Sequence, residues 1–394
     1  MTPAISSAFD SGAIEVVSIQ TREAAADVTL RIRKDSQADF CQWFHFRLSG
    51  ARGLACTLRF ENASACTYPG GWKDYRAVAS YERERWFRVS TRYDGTAMTV
   101  EHTPERDAVW YAYFEPYSWE RHQALIGRAG ASPLARIERL GATLDGRDLD
   151  LVTVRGAAVR GAPAAASAGA QHEHALKTIW IIARQHPGES MAEWFVEGLL
   201  NRLLDAADPV SRRLLERAVV CIVPNMNPDG SVRGNLRTNA AGANLNREWM
   251  EPSIETSPEV FFVRERIQET GVDVFLDVHG DEALPYVFVA GGEMLPGFTP
   301  AQTAAQQDFI ADFKRASPDF QDTHGYGAGK YRADALKLAS KWVGHTFGCL
   351  SLTLEMPFKD NANLPDATFG WSADRSARLG AAILGPLLAA VSSE

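Results

Sequence analysis

The chain has no Cys-x-x-Cys pair, no long run of Lys and Arg and no apolar run long enough to cross a bilayer. Each absence closes a class. Five cysteines, Cys41, Cys56, Cys66, Cys221 and Cys349, are odd in number and widely spaced, so neither a disulfide framework nor a thiolate metal site is expected. Without about 18 consecutive apolar residues, no transmembrane helix is expected. Residues 1–25 show neither a basic start nor an apolar stretch, so no signal peptide is expected and the cytoplasm is the expected location. A net charge of −8 argues against nucleic acid and against an anionic membrane surface as partners.

The sequence has ample material for cores. With 394 residues, 45% of them hydrophobic, two domains are expected. In the first, apolar and polar residues alternate through Asp27–Arg33, Trp43–Leu48, Arg85–Val89 and Val109–Phe114, with Gly, Asn and Asp turns between. This pattern predicts an antiparallel β-sandwich domain over residues 1–115. Beyond Pro116, apolar strand-like runs alternate with helical ones, which predicts an α/β domain with a mixed sheet over residues 116–394. Thr178–Ala183, Ala218–Val223, Val272–Leu276 and Cys349–Leu354 read as strands, Met191–Leu204 and Ala377–Val391 as helices, and Ala157–Ala170 as a loop or hairpin tip.

Polar motifs follow the expected strands: His186-Pro187-Gly188-Glu189, Asn227-Pro228-Asp229-Gly230, Asn244-Leu245-Asn246-Arg247, Asp277-Val278-His279-Gly280 and the carboxylate of Glu355. Open α/β sheets bind ligands outside the carboxyl ends of their strands, so motifs distant in sequence should converge there. Pro187-Gly188 turns the chain sharply, which lets His186 and Glu189 aim at one point. With His279 they make a His/Glu/His set that leaves one tetrahedral position open, the arrangement of catalytic zinc. Arg237 and Arg247 add cations and Glu355 a spare carboxylate, an inventory suited to metal-assisted hydrolysis of an anionic substrate. The remaining histidines, His45, His102, His122, His172, His174, His324 and His345, lack such placement and read as structural or surface residues. Asp229 reads as a turn-former, because Asn-Pro-Asp-Gly has strong turn chemistry.

Taken together, these motifs resemble the M14 metallocarboxypeptidases. Asn227-Pro228-Asp229-Gly230, Gly234-Asn235-Leu236-Arg237, Asn246-Arg247-Glu248-Trp249 and Phe114-Glu115-Pro116-Tyr117-Ser118 are similar to the cytosolic carboxypeptidase branch, whose members also carry an N-terminal β-sandwich. The resemblance implies one zinc per chain on His186, Glu189 and His279. It implies that Arg237 polarises the scissile carbonyl, that Asn246 and Arg247 hold the substrate's terminal carboxylate, and that Glu355 is the general base. The implied substrate is the C-terminus of a peptide or protein. Many members have Asp where this chain has Asn244, an amide that still accepts a hydrogen bond from a ligand histidine but adds no charge. The pocket for the terminal side chain is expected near Ala339–Trp342, which makes Lys341, with Arg332 as a second candidate, the source of a preference for acidic ends. Tyr331 is the candidate for the tyrosine that many secreted members place over the carboxylate. Two other readings compete: an amidohydrolase of related fold acting on N-acyl amino acids or peptidoglycan-type peptides, and a binding module without catalysis.

Overall fold

The computed structural model describes residues 3–156, 176–293, 295, 297–327 and 332–392. The expected loop at Ala157–Ala170 lies outside the described residues, as do His172, His174 and Tyr331.

Ten short strands in the first part build two five-stranded sheets. One runs in the order Ala4–Ser6, His45–Ser49, Ala108–Ala112, Val78–Ser80 and Phe87–Arg88; the other runs Glu15–Arg22, Ala25–Arg31, Ala55–Phe60, Met98–His102 and Ser90–Tyr93. Period-two alternation explains their packing: Ala26, Val28 and Leu30 are buried while Arg31 is exposed. The pairing is antiparallel except between Ala25–Arg31 and Ala55–Phe60, which run parallel.

The second part centres on a seven-stranded sheet, in the order Ala135–Ala142, Asp148–Val154, Ala218–Val223, Lys177–Ala183, Val274–Asp281, Leu350–Pro357 and Phe288–Ala290. Its four middle strands are parallel and the flanking pairs antiparallel. No strand of the first two sheets joins it. The strand Lys177–Ala183 has no polar face because helices cover both sides of the sheet. Ile179 and Ile181 share a core with Phe195 and Leu199 of helix Met191–Leu203, while Trp180 and Ile182 share another with Val260, Ile267 and Val343. The helix expected over Ala377–Val391 is two helices, Ala373–Ala382 and Leu384–Ala390. Pro386 lacks the N–H that an unbroken helix would need there.

Register sets up the site. His279 pairs with Glu355 on the adjacent parallel strand, so both side chains leave the sheet together at its carboxyl end.

Candidate active site

The strand Lys177–Ala183 ends at Arg184, a non-glycine residue with φ of 60°. Its buried guanidinium donates to Pro187 O at 2.9 Å, to Tyr117 O at 2.9 Å and to Glu193 Oε2 at 2.7 Å. The turn from His186 to Glu189 is thereby wrapped around a fixed cation. Gly188 donates its N–H to Leu236 O at 2.8 Å, and a Cβ there would stand 3.0 Å from that oxygen. A larger residue there would press on the loop of Arg237.

Two imidazoles and a carboxylate meet beside this turn. His186 Nδ1 lies 2.7 Å from Glu189 Oε1, His279 Nδ1 lies 2.7 Å from Glu189 Oε2, and the two Nδ1 atoms are 3.2 Å apart. Asn244 Oδ1 is 3.1 Å from His186 Nε2, and Asp277 Oδ2 is 2.9 Å from His279 Nε2. These outer acceptors assign the protons to Nε2 and leave the Nδ1 lone pairs facing each other. Two lone pairs and a carboxylate converging without a shared donor is a donor set for a cation. Potential ligand atoms of the three residues lie within 4.8 Å of one another, and theirs is the single such group among the described residues. Burial, then Arg237, holds the His186 imidazole down to about 3, so it is neutral, as a ligand must be. Burial opposes charge on His279, but Asp277 and Glu189 outweigh it and raise its proton affinity, so a metal binding at Nδ1 would take the place of a proton there.

Glu355 carries the remaining carboxyl. Its Oε1 lies 2.7 Å from the Tyr326 hydroxyl, which is also 2.9 Å from Asp281 Oδ2. Its Oε2 is buried without a hydrogen-bond partner among the described residues. Burial pushes the carboxyl up to about 8, with Glu189 and Asp281 adding repulsion and His279 opposing it. Arg237 NH1 lies 3.9 Å from Glu189 Oε1, its guanidinium 5.9 Å from the Phe40 ring and 5.5 Å from the Tyr68 ring. Asn246 reaches His279 Nε2 at 3.2 Å and accepts from Ala339 N at 2.9 Å, which ties the turn Leu245–Arg247 to helix Ala339–Phe347. Lys341 is on that helix; burial lowers its ammonium to about 8, against the pull of Glu293.

All eight residues singled out from the sequence, His186, Glu189, His279, Glu355, Arg237, Asn246, Arg247 and Lys341, line one cleft of about 620 Å³. Asp229 is not among them. It is buried, accepting from Thr143 Oγ1, Asp145 N and Arg147, and so anchors the turn that Asn227 caps. The side chain of Arg332 is outside the described residues, and its backbone opens a 3₁₀ turn. The cleft also holds Tyr68, Tyr326, Asp281 and Glu282, which the sequence reading missed. Glu282 Oε1 is buried and unpartnered among the described residues, and burial pushes its carboxyl far above the usual range. The acidic pair Asp281-Glu282, one glycine beyond His279, was the available signal.

Comparison with known proteins decides the family. Residues 128–370 match the zinc carboxypeptidase family, and residues 5–114 match the cytosolic carboxypeptidase N-terminal domain. The chain belongs to the M14 zinc carboxypeptidases. A metallo-carboxypeptidase structure from Burkholderia cenocepacia is 58% identical, each chain covering 99% of the other, with a TM-score of 0.93. A metallo-carboxypeptidase of Pseudomonas aeruginosa, solved with (2-guanidinoethylmercapto)succinic acid, is 44% identical over 99% of each chain, with a TM-score of 0.90. Mouse cytosolic carboxypeptidase 4 is 29% identical over 73% of this chain, but the match spans only 28% of the mouse protein. This zinc carboxypeptidase is a metalloprotease acting on peptide substrates. No helix among its described residues is long and apolar enough to cross a membrane.

Proposed function

We propose that this enzyme removes C-terminal residues, preferring acidic ones, through one zinc held by His186, Glu189 and His279. The inward-facing Nδ1 pair with Glu189 is the observation that carries the metal assignment. Zinc, when bound, supplies a Lewis acid and acidifies water. Glu355 takes a proton from the attacking water through its unpartnered Oε2, and the Tyr326 hydroxyl orients the carboxyl. Arg237 meets the charge that develops on the carbonyl oxygen. Arg247 and Asn246 take the terminal carboxylate, for which the guanidinium fork is suited. Lys341 pairs with an acidic terminal side chain; such a partner restores the charge that burial disfavours. The residues before about 115 form a sandwich domain of their own, and the five unbridged cysteines fit a reducing compartment such as the cytoplasm.

Elemental analysis should find one zinc in the wild type and much less in His279→Ala; equal content would overturn the ligand set. Peptides differing only in the last residue then test specificity. The compound bound by the Pseudomonas relative carries both carboxylates and a guanidinium, so terminal Lys is the informative competitor to terminal Glu. Faster cleavage of Glu or Asp ends, shifted towards Lys ends by Lys341→Glu, is the expected result. Fastest cleavage of Leu or Lys ends would remove the acidic preference.

A further inference from the structure

Arg237 projects from a loop whose main chain is held by the other half of the molecule. Asp35, in the segment after strand Ala25–Arg31, accepts the N–H of Leu236 at 2.6 Å, of Arg237 at 2.7 Å and of Thr238 at 3.0 Å. It also accepts the Thr238 hydroxyl at 3.1 Å. Next to it, Ser36 donates its N–H and hydroxyl to Asn235 Oδ1 at 3.0 and 3.1 Å. Three successive amides converging on one carboxylate fix the backbone dihedrals of the residues between them. At the centre of that run the Cα–Cβ direction of Arg237 is therefore set by Asp35. Phe40, on the same segment as Asp35, then walls one side of the guanidinium.

We propose that Asp35 is a positioning residue for the reaction, aiming the Arg237 guanidinium at the scissile carbonyl from the N-terminal half. The alternative is that Asp35 only fastens two halves together. The two differ in kind, because aiming matters when charge develops on the carbonyl oxygen, whereas fastening matters for stability. A misplacement of about 1 Å in a catalytic group costs on the order of a hundredfold in rate. The proposal rests on the reading of Arg237 as the partner of that oxygen.

Asp35→Asn keeps the shape but removes the charge that strengthens the amide contacts and turns one accepting oxygen into an NH2 donor. In the zinc-loaded enzyme it should lower kcat by about tenfold to a hundredfold while KM and zinc content stay close to wild type. The same substitution in an Arg237→Ala background should cost almost nothing further, since no guanidinium remains to aim. If Asp35→Asn leaves kcat unchanged, or lowers it as much without Arg237 as with it, the proposal is overturned. If Arg237→Ala alone retains full turnover, the reading of Arg237 fails instead, and the two failures are distinguishable. Should Asp35→Asn not fold, Thr238→Val decides. It removes one donor to Asp35 within a buried, nearly isosteric side chain, and a loss confined to KM or to melting temperature would overturn the proposal.

Discussion

Glu355 and His122 show how burial acts on single residues in opposite ways. Glu355 has one oxygen near Tyr326 and one without a partner among the described residues, and burial raises its proton affinity, the condition of a group built to accept a proton. Glu355→Gln should keep fold and zinc but lose about 10²–10⁴-fold in kcat; near-normal turnover on a cleaved peptide would remove the role. His122 is buried between Glu193 at 2.6 Å and Asp150 at 3.2 Å. Burial alone would depress it, but these carboxylates hold it up to about 9, so folding favours its charged form. Its contribution is complete below the ordinary value of 6.5 and is lost as pH rises through about 9. Melting temperature should therefore fall between these limits more steeply in wild type than in His122→Gln. Parallel curves would show that the pair of carboxylates does not stabilise the charge. The sequence exposed the cleft residues because metal and carboxylate chemistry restricts residue type and places them after strands. It hid Asp35 and Tyr326, whose partners stand at no characteristic spacing, and His122, whose carboxylates come from a distant helix and strand.

Elements were legible where one local rule decided them. The runs at Thr178–Ala183 and Ala218–Val223 are buried on both faces, so their apolar composition alone marked them. The parallel pair in the N-terminal sheet and the break at Ile383, ahead of Pro386, depend on which segments meet, or on one missing N–H, and were not read. Also unread was the crossing of helices Met191–Leu203 and Ala373–Ala382. A Cβ on Gly198 would lie 1.9 Å from Ala377 O, and one on Gly380 would lie 1.9 Å from Phe195 O, so the two backbones touch. In an ordinary helix Gly→Ala stabilises by about 1 kcal/mol. Here Gly198→Ala should destabilise by on the order of 1–3 kcal/mol through overpacking, read as a lower denaturation midpoint. A neutral or stabilising result would mean that the helices can part at little cost.

At the scale of the molecule, the two parts are joined by polar contacts that each needs from the other. Arg88, buried, donates to Arg76 O at 2.6 Å within its own half, and to Phe358 O and Trp371 O at 2.9 Å and Phe369 O at 3.1 Å across the junction. Four carbonyls lose their donor if it is removed, at about 1–3 kcal/mol for each group left buried and unpaired. Wild type should give one calorimetric transition and Arg88→Met two; a single unshifted transition in the variant would mean the halves are coupled elsewhere. The touching helices also order events during synthesis. His186 and Glu189 leave the ribosome long before Glu355 and Gly380, and at about 5–20 residues per second the interval is roughly 10–40 s. Until Glu355 and then Gly380 follow, the nascent chain holds the proposed zinc ligands without first the proposed base and then the helix that packs behind them. If these roles hold, an enzyme that shortens chain ends is expected to stay inert while its own chain is still growing.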